Sequence, residues 1–137
     1  MKTVITSILL IALAPLFMYT SCNKGHDHNA RNCDDVICTM MFAAVSTEVQ
    51  DANGNKVTLD EAYTIRTSTG EKITYKNSEG YYTVLDESYL KQLQNATDKF
   101  QFVGIKDGVK LVDEVFTISA DCCHVSKVEG KNIITIR

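Results

Sequence analysis

The feature that most constrains this chain is a period-two alternation of apolar and polar residues that runs from Thr39 almost to the C-terminus. Successive side chains of a β-strand point to opposite faces, so this period predicts strands, whereas a helix needs a period near 3.6. Turn sequences interrupt the alternation, and Asn53-Gly54 and Asp107-Gly108 are the pairs that most strongly favour a β-hairpin. We therefore predict seven or eight short strands separated by tight turns.

The first predicted strand is apolar on both faces at its start. One face carries alternate residues, namely Met41, Ala43, Val45, Thr47 and Val49. The other face begins with Phe42 and Ala44. A strand that is apolar on both faces is typical of a strand covered on both sides, so we expect the start of this strand, including Phe42, to be covered.

One segment, Asp86–Ala96, breaks the alternation. Leu90 and Leu93 are three residues apart, and good helix formers lie around them. Either Asp86 or Ser88 is a suitable N-cap residue. We predict one short helix here.

These elements predict an all-β domain over residues 39–137, an antiparallel β-sandwich with one short helix. The chain has 137 residues, enough for one domain and too few for two. Val45-Ser46-Thr47-Glu48-Val49 followed by Asp51-Ala52-Asn53-Gly54-Asn55-Lys56-Val57 resembles the first part of transthyretin-like, or carboxypeptidase-regulatory-like, domains. That resemblance implies a Greek-key sandwich that supports or adheres and does not catalyse. Immunoglobulin-like and fibronectin-like sandwiches are the alternatives.

Residues 1–21 predict a secretory signal peptide. Lys2 supplies a basic start, and Ile8–Met18 is a run of eleven residues without a polar side chain. This run has the length of a signal-peptide core, and a transmembrane helix would need about 20 apolar residues.

The run Met18-Tyr19-Thr20-Ser21-Cys22 resembles the lipobox of bacterial lipoproteins, although Tyr19 is larger than the residue usual at its position. The resemblance implies cleavage before Cys22 and acylation of that cysteine by chains such as palmitate, which makes the membrane a partner of this end. Asn23 stands where such proteins carry an Asp for inner-membrane retention, and this favours the outer membrane. The domain then faces either the periplasm or the medium. The alternative is an ordinary signal peptide, with Cys22 as the first cysteine of a secreted chain.

Residues 22–38 are predicted to be the lipidated cysteine and a flexible tether, because the residues after Cys22 are polar and lack apolar periodicity. His26 and His28 flank Asp27 and are ligand types for a transition metal. Two histidines in a mobile tail lack the further ligands of an organised site, so a solvated tether is the preferred interpretation.

Five cysteines in a small chain favour an oxidising compartment. Apart from Cys22 they form two groups, Cys33 with Cys38 and Cys122 with Cys123. Adjacent cysteines strain a mutual disulfide, so we predict two disulfides that both join one group to the other.

The alternative function for the second cysteine group is metal binding, since Asp121-Cys122-Cys123-His124 offers ligands that zinc or copper accepts. Successive strand residues point to opposite faces, so Cys122 and Cys123 reach one ion only across a bulge. Disulfides are therefore the preferred interpretation, and we predict no cofactor.

The sequence shows no signature of catalysis or nucleic-acid binding. Phosphate-binding loops, nucleophile elbows and zinc-protease motifs are missing, and carboxylates such as Asp86-Glu87 are taken as solvated surface. The formal net charge is −3, and a nucleic-acid partner would favour a clustered basic face. We expect a non-enzymatic module anchored to the cell envelope, which binds a protein or glycan partner or supports an envelope assembly.

Overall fold

The computed structural model describes residues 32–137. The predictions for the signal peptide, Cys22, His26 and His28 therefore lie outside the described residues. In chain order the elements are β1 (Ala44–Gln50), β2 (Glu61–Arg66), β3 (Lys72–Ile73), β4 (Tyr81–Asp86), a 3₁₀ turn (Glu87–Tyr89), α1 (Leu90–Leu93), β5 (Ala96–Lys106), β6 (Val109–Ala120), β7 (Val125–Glu129) and β8 (Ile133–Thr135). In this part of the chain no helix has the length and apolar character needed to cross a bilayer.

The strands form two sheets, which confirms the predicted all-β sandwich. The smaller sheet has the order β4-β1-β8 and the larger has the order β3-β2-β5-β6-β7. The chain crosses from one sheet to the other after β1, β3, β4 and β7. The named pairs are antiparallel as predicted, except that β8 runs parallel to β1.

The two predicted hairpin turns behave differently. Asp107 and Gly108 both have positive φ, 51° and 73°, and join the long antiparallel pair β5 and β6. The Asn53-Gly54 turn also forms, with a bridge between Gln50 and Lys56. The chain then crosses to the larger sheet, so β1 pairs with β4 and β8 and not with the strand that follows it. The turn forms from local interactions, whereas burial of the inner faces of the two sheets against each other determines which strands pair with β1.

The core lies between the sheets. Alternate β1 residues Val45, Thr47 and Val49 are buried, as their shared face predicts. The larger sheet contributes the fully buried side chains of Phe100, Phe102, Phe116 and Ile118. Tyr82 of β4 packs against Phe102, with the ring centroids 5.8 Å apart. Burial of these large side chains from both sheets supplies the main apolar stabilisation of the sandwich.

The start of the first strand differs from the prediction. β1 begins at Ala44, and no strand covers the preceding apolar residues, so Met41 and Phe42 are 73% and 71% exposed. The predicted cover on both sides of this segment is wrong, because the period-two pattern reports alternation of side chains and not the presence of a neighbouring strand.

The predicted helix is confirmed as the 3₁₀ turn followed by α1. Asp86 caps it, and its carboxylate accepts a hydrogen bond from the Ser88 backbone N–H at 2.9 Å. The Tyr89 hydroxyl donates to Glu71 in the β2–β3 turn at 2.7 Å. Burial, with the neighbouring Glu71 carboxylate, raises the pKa of Tyr89 to about 12. The phenol therefore keeps its proton and continues to donate this bond at physiological pH.

Candidate functional site

Two disulfides gather the chemically distinctive residues at one end of the sandwich. Cys33 is bonded to Cys122 and Cys38 to Cys123, each with a Cα–Cα distance of 5.3 Å. Both bonds join the N-terminal group to the C-terminal group, in agreement with the predicted pairing. They also attach residues 33–38 to the domain.

A tight turn between β6 and β7 presents the adjacent cysteines. The Asp121 carboxylate accepts hydrogen bonds from the backbone N–H groups of Cys123 and His124 at 2.7 and 2.8 Å. Short Asp side chains favour such turns because they replace a backbone acceptor two or three residues away. The turn takes Cys122 and Cys123 out of strand geometry, so each reaches a different cysteine of the N-terminal group.

His124 connects this turn to two other segments. Its Nδ1 contacts the Glu87 carboxylate in the 3₁₀ turn, and its Nε2 lies 3.0 Å from the Thr39 hydroxyl. The side chains of His124 and Glu87 are 27% and 16% exposed, so water competes little for this pair. A carboxylate, an imidazole and a hydroxyl in this order also occur in hydrolase triads. Here the three groups join segments that are far apart in sequence, and thereby fix Thr39.

The alternative metal site at Cys122, Cys123 and His124 is not assembled in this structure. Both thiols are consumed in disulfides and cannot act as thiolate ligands. Both ring nitrogens of His124 have protein partners. Within residues 32–137 no group of three or more His, Cys, Asp or Glu side chains is arranged to hold a metal ion.

The loop that the disulfides attach carries an unusual amount of exposed apolar surface. We call residues 36–42 the apolar loop. Its exposed large apolar side chains are Val36, Ile37, Met40, Met41 and Phe42. Ile37 is 97% exposed and Met40 is fully exposed. Side chains of this size are more often buried, and a contiguous exposed apolar group indicates an interaction surface.

A second feature is a groove of about 290 Å³ on the outer face of the smaller sheet. Its lining includes Glu48, Tyr81 and Ile133 from three neighbouring strands. The Lys56 ammonium lies 3.9 Å from the centre of the Tyr81 ring. Tyr81 is the partly exposed aromatic residue here, whereas Tyr82 is buried. The groove therefore presents one aromatic side chain and not an aromatic platform.

Sequence reasoning missed two residues of the disulfide-bonded end. Glu87 is taken there as a solvated carboxylate, but it pairs with His124, 37 positions away. Thr39 is given no role by the sequence, but it lies before β1 and contacts the same histidine. The sequence carries no local signal for either contact, because both depend on which segments the disulfides bring together.

Comparison with known proteins gives no relative on which to base a function. No protein-family model, no curated protein sequence and no solved structure shows significant similarity to this chain.

Proposed function

We propose that this chain is a lipid-anchored lipoprotein of the bacterial cell envelope, attached through Cys22, and that its β-sandwich is a non-enzymatic binding or structural module. The observation that carries the proposal is the use of the cysteines. The two disulfides account for four of the five, and the fifth, Cys22, ends the lipobox-like run Thr20-Ser21-Cys22.

The disulfides also support the proposed location outside the cytosol. Such bonds persist in oxidising compartments and are rare in the cytosol, where thiols are kept reduced. A signal-peptide-like segment followed by a domain with two disulfides is consistent with export. Several acyl chains on Cys22 give stable anchoring, whereas a single chain binds a bilayer only marginally.

A binding or structural role is favoured by the surfaces of the domain. The resemblance of residues 45–57 to transthyretin-like domains implies the same kind of role. The groove beside Tyr81 is the surface that a partner, protein or glycan, would contact.

Anchoring is tested by expressing the full chain in a Gram-negative host grown with labelled palmitate. We expect label on the wild-type protein and recovery in the outer-membrane fraction. Cys22→Ala removes the acceptor sulfur and is expected to abolish labelling and release the protein from membranes. Ser21→Ala, which keeps a small residue beside the cleavage site, is the matched control and should be labelled like the wild type. An unlabelled wild-type protein in the soluble fraction would contradict the proposal.

The binding role is tested by chemical crosslinking in intact cells followed by affinity capture. We expect a specific envelope protein or glycan to be recovered with the wild-type chain. If only random envelope components are recovered, the binding role is wrong and a purely structural role is left.

A further inference from the structure

We propose that the apolar loop, residues 36–42, inserts into the surface of the lipid bilayer to which the chain is attached, and so fixes the orientation of the domain on the membrane. The inference rests on the proposed lipid anchor at Cys22. It adds a second membrane contact made by the folded domain itself.

The position of the loop in the chain, close to the proposed lipid anchor, indicates that lipid is what the loop contacts. Eleven residue steps separate Cys22 from Cys33, where the first disulfide attaches the chain to the domain. The flexible tether predicted for this stretch would span about 17–20 Å on average. The anchored end of the sandwich is therefore held close to the bilayer, and this is the end that carries the apolar loop.

The loop is displayed and not free to collapse onto the domain. Its centre is bonded through Cys38 to Cys123, and the next residue, Thr39, contacts His124. These contacts hold the backbone while Ile37, Met40 and Phe42 stay exposed. A displayed apolar loop avoids most of the ordering cost that a flexible loop incurs on binding.

The charges near the loop specify the kind of lipid contact. Residues 36–46 contain no charged side chain, and Asp34 and Asp35 come just before them. A loop without lysine or arginine gains nothing from anionic lipids, whereas bilayer-surface contacts that depend on charge use basic clusters. We therefore expect insertion driven by apolar burial into a zwitterionic surface, with little dependence on salt concentration.

The absence of tryptophan from the chain gives a direct test. Phe42→Trp places the only indole in the loop, and Val109→Trp places it at an exposed apolar position. The Val109 end of β6 lies about 36 Å along the strand from Ala120, which precedes the disulfide-bonded turn. Each full-length variant is purified from cells in detergent and reconstituted with phosphatidylcholine vesicles, either plain or brominated on the upper part of the acyl chains.

Side chains at the interface lie about 5–10 Å into the boundary of headgroups and acyl chains, so the indole at position 42 should lose roughly half of its emission in brominated vesicles. The indole at position 109 should lose little, and added salt should change neither result. Adding Met40→Ser and Met41→Ser to the Phe42→Trp variant should weaken the quenching. Because these positions are exposed, equal thermal unfolding midpoints would show that the fold is retained.

Flotation of the vesicles reads the anchor separately from the loop. If the protein floats but the two indoles are quenched equally or not at all, the lipid anchor is retained and the proposed insertion of the loop is overturned. Protein that does not float with the vesicles would refute the lipid anchor. In that case, quenching of the indole at position 42 at high lipid excess would still support insertion of the loop, and its absence would overturn it. Emission at position 42 that responds to protein concentration and not to lipid would assign the surface to a second copy and also overturn the proposal.

Discussion

At the scale of single residues, the buried Tyr82 supplies hydrogen bonds to the backbone of the connection between β1 and β2. The ring is 3% exposed, and its hydroxyl accepts a hydrogen bond from the Leu59 backbone N–H at 2.7 Å and donates one to the Val57 carbonyl at 2.9 Å. The connection between the Asn53-Gly54 turn and β2 makes only isolated backbone hydrogen bonds to strands, such as that from the Val57 N–H to the Val49 carbonyl. One phenol therefore supplies the hydrogen bonds that a neighbouring strand would otherwise make.

Tyr82→Phe removes these two hydrogen bonds and keeps the packing. We expect it to lower the free energy of unfolding by about 1–3 kcal/mol, because a buried N–H and a carbonyl lose their partner. Urea denaturation followed by circular dichroism measures the change. Tyr81→Phe is the matched control on the adjacent, half-exposed ring, where lost surface contacts cost less than about 1 kcal/mol. Equal losses for the two variants would contradict the assigned role of the Tyr82 hydroxyl.

At the scale of elements, the connection from β7 to β8 is a tightly constrained crossing between the sheets. Gly130 lies in it with φ of 127°, and a Cβ there would be 2.2 Å from Cδ1 of the buried Phe116 ring. Both the backbone angle and the contact require glycine. The close approach lets the chain pass the core and place β8 beside β1.

Gly130→Ala is expected to lower the free energy of unfolding by about 3 kcal/mol or more, since it adds a clash with a core ring to a strained backbone. Gly70→Ala is the control. Gly70 also has positive φ, 74°, but a Cβ there meets nothing within 4 Å, so about 1 kcal/mol of backbone strain is expected. Thermal unfolding of the two purified variants distinguishes the terms, and equal midpoints would argue against the Phe116 clash.

At the scale of the whole molecule, the disulfides connect the N-terminal segment of the described chain to the turn between β6 and β7. They close loops with sequence separations of 89 and 85 residues. In the chain-entropy model, a single bridge over such a loop contributes about 4–5 kcal/mol. Once either bridge is present, the other closes only a ring of a few residues and adds about 2 kcal/mol. The two bridges are therefore largely redundant for stability.

This redundancy predicts strongly non-additive effects. Replacing Cys38 and Cys123 together with Ser, or Cys33 and Cys122 together, should each cost about 2 kcal/mol, because one long-range bridge is left. Replacing all four should cost about 6–7 kcal/mol, more than twice a single pair. Guanidinium denaturation of the three variants gives the comparison. Additive losses would mean that the bridges act through local geometry and not through loop closure.

A second readout separates the bridges functionally. The Cys38–Cys123 bond holds the centre of the apolar loop, whereas Cys33–Cys122 holds its N-terminal side. Loss of the Cys38–Cys123 pair should therefore increase backbone hydrogen exchange around Thr39 more than loss of the other pair.

The sequence by itself determined most of the local structure. Alternation located the strands, and the Asp107-Gly108 pair determined the central hairpin. Asp86 and Ser88 were the two N-cap candidates for the helix, and the structure uses Asp86. Each of these features depends on neighbours in the chain. The grouping of the cysteines was sufficient to predict two long-range bridges. The lipid anchor at Cys22 stays a prediction from the sequence.

Only the tertiary structure decided how these parts combine. Pairing of β1 with β4 and β8, the exposure of Met41 and Phe42, and the contact of His124 with Glu87 and Thr39 join residues that are distant in sequence. Alternation of apolar and polar residues predicts that a segment has an apolar face, but it does not predict which part of the protein covers that face. Burial is a property of the whole packed chain, and for the apolar loop no described part of the chain provides the cover.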